Sequence, residues 1–202
     1  MANHELRAAR REAVLRSGAE LLREGGLGAL QMREVARRAD VALGTLYSCF
    51  STKEALFAAL YARRLDQMFT VVEEEFNTVT DPRVLFIQFA TLYRGLYAEF
   101  GREVDLGNLI TSDNTFDPDT LQSLIRGTSR SVAAMHRILA SLHVDQPDAA
   151  VVALWSITSG LAAHFTGPRS AFHQVGWDEA VSYTAEIVVN TLHTREGINH
   201  DK

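Results

Sequence analysis

Apolar residues recur at three- and four-residue spacing along nearly the whole chain, and no segment of useful length alternates at the two-residue period of a strand. Over residues 3–24, Leu6, Ala9, Ala13, Val14, Ser17, Leu21 and Leu22 form a stripe, with Arg7, Arg10, Arg11 and Arg16 largely off it. Gly25-Gly26 stop this helix, since glycine accepts the left-handed conformation of a helix end. Residues 31–39 predict a short second helix, with Met32, Val35 and Ala36 inward and Arg33, Arg37 and Arg38 outward. Asp40 stands where the chain must turn sharply, and aspartate tolerates positive φ better than most side chains. Val41 plugs the angle. Residues 43–50 then make a third helix, too short to persist alone and anchored by Leu46 and Phe50 at i, i+4 spacing. Ser51 as N-cap and Glu54 at the third helical position read as a capping box for a fourth helix over 52–79.

Beyond it the helical period continues. Thr80-Asp81-Pro82 stops and restarts the chain, with Pro82 in a first helical position. Residues 82–100 carry Leu85, Phe86, Phe89, Leu92, Tyr93, Leu96 and Tyr97, and Gly101 ends them. A short segment, 105–112, leads into an irregular stretch, 113–118. Asp117 is a good cap for a helix over 118–143, and Asp113 and Asp119 are read with it as turn and cap residues. Residues 148–165 are apolar almost all round: Val151, Val152, Leu154, Trp155, Ile157, Leu161, Ala162 and Phe165. Such a helix must be covered on most sides, by a core or by a partner. A last helix over 177–195 carries Val181, Tyr183, Ile187, Val188, Thr191 and Leu192, and the tail 196–202 is expected to be disordered. The expected fold is all-α with about nine helices: a three-helix head at 1–64 and a helical body at 65–195.

Charge divides the chain at the same place. The 202 residues carry a net charge of −5, but residues 1–64 hold 11 Lys+Arg against 7 Asp+Glu, and the remainder 9 against 18. A basic head on an acidic body suits a head that approaches phosphate. The one cysteine, Cys49, excludes an internal disulfide framework and suits a reducing cytoplasm. It reads as a small helix residue rather than a redox sensor. No apolar run reaches the length of a membrane span and no signal peptide is expected, so the protein is placed in the cytoplasm, off the membrane.

Two short helices across a tight turn, the second rich in small and hydroxyl residues, fit a helix-turn-helix. A helix fits the major groove of B-DNA, Gly44 permits close approach, and Thr45 and Tyr47 can hydrogen-bond phosphate. The N-terminus of the fourth helix, with Lys53 on it, is an anion site in waiting. At this point the residues carry a resemblance. Val35, Ala36, Ala39, Val41, Gly44, Thr45, Leu46, Tyr47, Phe50, Thr52, Lys53, Glu54 and Leu56 match the pattern of the DNA-binding head of the TetR (tetracycline repressor) family of bacterial regulators. The resemblance covers residues 8–60. It departs at Gln31, where the family has Thr; at Asp40 for Gly; at Ala42 for Ser; and at Cys49 for His or Tyr. The head is also similar to regulators of steroid and lipid catabolism in actinobacteria, whose ligands are acyl-CoA thioesters.

The resemblance implies a homodimeric repressor on a pseudo-palindromic double-stranded operator. Gln31, Arg33, Thr45, Tyr47 and Lys53 would hold the DNA backbone, while Leu43, Gly44 and Ser48 approach the bases. It also implies that the last two long helices pair with their counterparts in a second copy, through Val151, Trp155, Thr158, Ala162, Tyr183, Ile187 and Thr191. A small, hydrophobic effector would release the DNA, and Phe69, Phe86, Phe89, Tyr93, Tyr97, Phe116 and Trp155 either line its pocket or simply pack the core. An activator or a ligand-independent regulator on the same fold, or a helical interaction module without DNA, are the alternatives. No Gly-rich phosphate loop, nucleophile elbow or catalytic triad spacing is present, so neither an enzyme nor a cofactor is expected. Of the seven histidines, His136 and His143 lie near one helix face, and His164 and His173 flank a break. None has ligand spacing, and no metal is expected.

Overall fold

Glycine, proline and aspartate cut the chain into helices close to where the pattern places the breaks. The computed structural model describes residues 2–101, 116–140, 142, 144 and 146–193, and among these are eight α-helices, one 3-10 turn and no strand. Helix α1 is Ala2–Ala29, α2 Met32–Arg38, α3 Leu43–Cys49, α4 Lys53–Thr78, α5 Pro82–Phe100, α6 Pro118–Ala140, α7 Pro147–Thr166 and α8 Trp177–His193. The 3-10 turn, Pro168–Phe172, lies in a stretch expected to be a loop. The segment 105–112, Asp113, His143 and the tail 196–202 lie outside the described residues.

The local signals account for most boundaries. Gly25 (φ −151°, ψ 21°) and Gly26 (φ 63°, ψ −162°) leave the helical region, so the regular part of α1 stops at Glu24 and a short helical piece follows. Only glycine takes the conformation of Gly26 without strain. Asp40, at φ 52°, is left-handed as its position requires. The Asp81 carboxylate accepts from the Arg83 N–H at 2.8 Å, with Pro82 first in α5. Asp117 accepts from the Thr120 N–H at 3.1 Å and hydroxyl at 2.6 Å, capping α6.

Two expectations are corrected. The cap of α4 is Thr52, not Ser51: its Oγ1 accepts from the Ala55 N–H at 3.0 Å, and its carbonyl takes the Leu56 N–H at 3.2 Å. The helix therefore starts one residue later, which puts Glu54 at its second position and removes the capping box. In α1, Leu6 is 49% exposed and Ala9 is exposed, and the buried stripe is instead Val14, Leu15, Ser17, Leu21 and Leu22.

The chain forms two compact units, Met1–Asp66 with Arg102–Arg126, and Gln67–Gly101 with Gly127–Lys202. In the first, α1, α2 and α3 pack on one another around Leu22, Leu30, Val35, Leu46 and Phe50, and an Arg63–Glu12 pair at 2.6 Å ties α4 to α1. In the second, α5 packs against both α7 and α8, burying Phe86, Phe89 and Leu96 with Leu154, Val181 and Val188. Arg83 joins the start of α5 to α8 through Glu186 at 3.1 Å and Asn190 at 3.0 Å.

Candidate nucleic-acid interface

Helix α3 is held from below and open above. Leu46 (0% exposed) and Phe50 (1%) are its anchors; burial of each contributes about 1.5–3 kcal/mol. The turn before it is closed by the Val41 N–H donating to the Ala36 carbonyl at 3.1 Å. Its first turn forms on the carbonyl of Ala42, which takes the Thr45 and Leu46 N–H groups at 2.9 and 3.1 Å. Ala42 offers no side-chain cap, as its methyl group dictates. On the outer side Gly44, Tyr47 and Ser48 are exposed, and Leu43, Thr45 and Cys49 are half-buried. A β-carbon placed on Gly44 would meet nothing within 4 Å, so packing within the chain does not demand glycine there. The Ser48 hydroxyl donates to the Thr45 carbonyl at 2.7 Å, leaving its lone pairs free to accept.

Gln31 and Arg33 are exposed, and Gln31, extended at φ −105° and ψ 128°, makes no side-chain cap to α2. The other two arginines of α2 are committed. Glu34 takes a bidentate pair from Arg37 at 2.7 and 2.8 Å and a further bond from Arg38 at 3.1 Å, while Arg38 reaches Glu24 of α1 at 2.6 Å. Hydrogen bonds from Arg37 and Arg38 hold the Glu34 carboxyl down at about 2, and the Arg38 bond also lowers Glu24. Arg33 makes no ion pair among the described residues, which leaves it as the available cation of α2.

Two basic residues of the head have internal duties. Lys53, half-buried at the start of α4, donates from Nζ to the Leu27 carbonyl at 3.0 Å, closing the end of the short piece after the Gly25-Gly26 break. Its ammonium carries three donors, so two remain. Arg11, off the apolar stripe of α1 and part of the basic head, is turned inward. Its guanidinium stacks over the Phe50 ring at 4.9 Å and donates to Thr120 at 3.2 Å and Asp117 at 3.5 Å. Burial pushes the Asp117 carboxyl up, but the Thr120 bonds and the Arg11 charge outweigh it and hold the group below its ordinary value. Nothing in the sequence near Arg11 signals a partner more than a hundred residues away.

Phe69, Phe86, Phe89 and Tyr93 are buried, and Tyr97 and Trp155 half-buried. Tyr93 stacks with Phe89 (6.3 Å between centroids), meets Trp155 edge-on at 6.4 Å and takes a hydrogen bond from Ser159 at 3.2 Å. These rings pack on one another. Phe116, half-buried, belongs to the other compact unit. A groove of about 480 Å³ lies instead along α7, the 3-10 turn and α8, lined among others by Ile157, Gly160, His164, His173, Val175 and Thr184, and none of the predicted pocket residues borders it. Two buried oxygens, Gln88 Oε1 on α5 and Thr158 Oγ1 on α7, have no hydrogen-bond partner among the described residues.

Val151, Thr158 and Ala162 are buried within the protomer and Trp155 is half-buried. What α7 and α8 leave in solvent is Val152 (67% exposed), Ile157 (36%), Tyr183 (69%) and Ile187 (48%), with Thr191 beside them. The phase of a helix that is apolar all round cannot be read from its period. Packing on α5 chose the Ala150, Val151, Leu154, Thr158 and Ala162 side. α7 is long and apolar enough to cross a membrane by composition (mean hydropathy 1.4), but its buried side is already a packing surface for α5.

An exposed helix seated across a left-handed turn on two others has the geometry of a helix-turn-helix. Residues 14–60 match the family model of bacterial regulatory proteins, tetR family. The chain is 44% identical over 59 residues to the HTH-type transcriptional repressor KstR of Rhodococcus jostii (strain RHA1), a match covering 29% of this chain and 28% of that one. It thus aligns with under a third of that relative's length. The body is matched in fold: a transcriptional regulator from Rhodococcus sp. Rha1 superposes with a TM-score of 0.67 at 19% identity, covering 92% of this chain and 96% of the other. FadR from Bacillus subtilis, solved in complex with stearoyl-CoA, superposes with a TM-score of 0.59 at 15% identity over 91% and 97%. The family match thus rests on residues 14–60, the helix-turn-helix head.

Proposed function

We propose that the protein is a homodimeric repressor whose α3 enters the major groove of a pseudo-palindromic operator and whose release is triggered by a hydrophobic small molecule. The observation that carries the first part is the outer face of α3. Gly44, Tyr47 and Ser48 stand clear of the chain's own packing over the buried anchors Leu46 and Phe50. Gly44 has no internal reason to be glycine, and close approach of a DNA backbone supplies one. Thr45, Tyr47, Gln31, Arg33 and the two spare donors of Lys53 are the phosphate contacts in this reading; Leu43, Gly44 and Ser48 face the bases.

The exposed Val152, Ile157, Tyr183 and Ile187 favour a second copy as the cover of α7 and α8, since an apolar face of this kind is otherwise left in water. Two-fold symmetry would set two α3 helices about one DNA turn apart. For the effector, Gln88 Oε1 and Thr158 Oγ1 are acceptors on the facing helices α5 and α7, and an unpaired buried oxygen costs about 1–3 kcal/mol. A mainly apolar ligand bearing a hydrogen-bond donor would satisfy them. The likeness to a regulator that holds stearoyl-CoA favours an acyl thioester.

The test is a gel-shift titration against genomic fragments flanking the gene, followed by addition of long-chain acyl-CoAs. Gly44→Gln and Tyr47→Phe are expected to weaken binding, and an acyl-CoA to release the DNA from wild-type protein but less effectively from Thr158→Val. Undiminished binding by Gly44→Gln and Tyr47→Phe would remove α3 from the interface.

A further inference from the structure

Along the groove that Ile157 of α7 also lines, two histidines nine positions apart are brought ring to ring. His164 lies in the last turn of α7 and His173 directly follows the 3-10 turn. Their rings lie edge to edge, with centroids 4.7 Å apart and planes within 9°, and Nε2 of one faces Nε2 of the other in direct contact. Two such nitrogens can share a proton only if one ring carries it and the other accepts. With both rings protonated on Nδ1 instead, the two Nε2 lone pairs face each other, and a slight opening of the pair would let both reach one ion. We propose that this pair is a binding site for a first-row divalent transition ion, Zn²⁺, Ni²⁺ or Cu²⁺, coordinated by His164 Nε2 and His173 Nε2 at the mouth of the groove along α7.

The surroundings keep the two rings close to one another. Phe165 meets His164 edge-on at 5.2 Å and His173 at 5.8 Å, and is itself wedged edge-on against Trp177 at 5.6 Å. The backbone between the ligands is equally fixed. The Thr166 hydroxyl donates to the Ala162 carbonyl at 2.7 Å, Pro168 opens the 3-10 turn, and the Ser170 hydroxyl donates to the Gly167 carbonyl at 3.1 Å. Ligands held in position lose little freedom on binding. Imidazole selects borderline ions and discriminates against magnesium and calcium, which prefer oxygen. Among the described residues no third His, Cys, Asp or Glu completes a cluster. The site is therefore open, with its remaining positions filled by water from the groove or by the same pair in a second copy. This inference goes beyond the regulatory reading and is tested without DNA, so either can fail alone.

The experiment is calorimetric titration of chelator-treated, untagged full-length protein with ZnCl₂ and with MgCl₂, supported by Cu²⁺ electron paramagnetic resonance. Wild type is expected to bind one zinc per chain, or one per two chains if copies share it, and no magnesium. His164→Ala and His173→Ala should each lose at least tenfold in zinc affinity. His136→Ala, a half-exposed histidine of α6, should lose nothing. The copper spectrum should show nitrogen hyperfine structure that both variants of the pair abolish. Both rings lie at the surface, so the variants should keep the wild-type circular dichroism spectrum; His173→Gln provides the second variant if either does not. Zinc affinity equal in wild type and in the pair variants, or magnesium binding as well as zinc, would overturn the site.

Discussion

Helices α3 and α7 face opposite problems. α3 has seven residues, too few to persist alone, and is kept in place by Leu46 and Phe50 while its other side stays polar, small and open. α7 has twenty residues and an apolar surface larger than α5 can cover, so Val152 and Ile157 remain outside. In the proposed reading, the first acts through which residue stands at each exposed position, and the second through which side is left over once the protomer has packed. The match to KstR at 44% identity lies within 59 residues, whereas the solved regulators superpose over more than nine-tenths of the chain at under 20% identity and share its fold. A surface that reads DNA constrains side chains, whereas a surface that packs helices constrains volume and polarity.

The contrast can be broken most directly at an anchor. Leu46→Ala is expected to cost about 2–5 kcal/mol in urea unfolding and to abolish operator binding, since α3 has no other deep contact except Phe50. Retained binding would show that α3 is not seated as described. On the body side, the double variant Val152→Glu and Ile187→Glu should turn a dimer into a monomer in sedimentation velocity, with the helical signal intact, because neither side chain is buried in the protomer. A wild-type monomer, or an unaltered dimer in the variant, would break the assignment of this face. Lys53→Ala should weaken binding to all DNA sequences alike and reduce the salt slope by about one. A loss confined to thermal stability would leave Lys53 with only its Leu27 carbonyl.

Smaller effects sharpen the local picture. Thr52→Ala is expected to lower stability by about 1 kcal/mol and Ser51→Ala by much less; the reverse order in thermal melts would restore Ser51 as the cap. The smallest effect concerns Glu34, whose folded carboxyl is held at about 2 against an ordinary 4.5. A depressed acid contributes stability above its unfolded value and loses it as pH falls through the folded one. The difference between wild type and Glu34→Gln should therefore be full above about pH 4.5 and fade toward pH 2. Because the group is exposed, the difference should be slight and should shrink in salt. A difference that grows on acidification would exclude the Arg37 and Arg38 pairs as its source.

Much of the head was legible because its signals are local. Asp40 had to turn left-handed, Ala42 could not cap, and Leu46 and Phe50 had to share a side, each within a few residues of its cause. Thr52 was missed by one position because Ser51 and Thr52 are both competent caps, and only the first helical hydrogen bond distinguishes them. In the body the same logic found the ends of α5 and the cap of α6, but not which side of α7 the protomer buries, that of Val151, Thr158 and Ala162.

By itself, then, the sequence determined where the backbone bends and which helix carries small, hydroxyl-bearing residues outward, because glycine, proline, aspartate and hydrophobic period act over one or two turns. Tertiary structure alone decided the phase of α7, the turning of Arg11 onto Phe50 and Asp117, the engagement of Lys53 with Leu27, and the meeting of His164 with His173. These contacts join residues separated by a helix break, a turn or most of the chain. No local rule reaches across such a separation, since the partners become neighbours only after whole helices have packed.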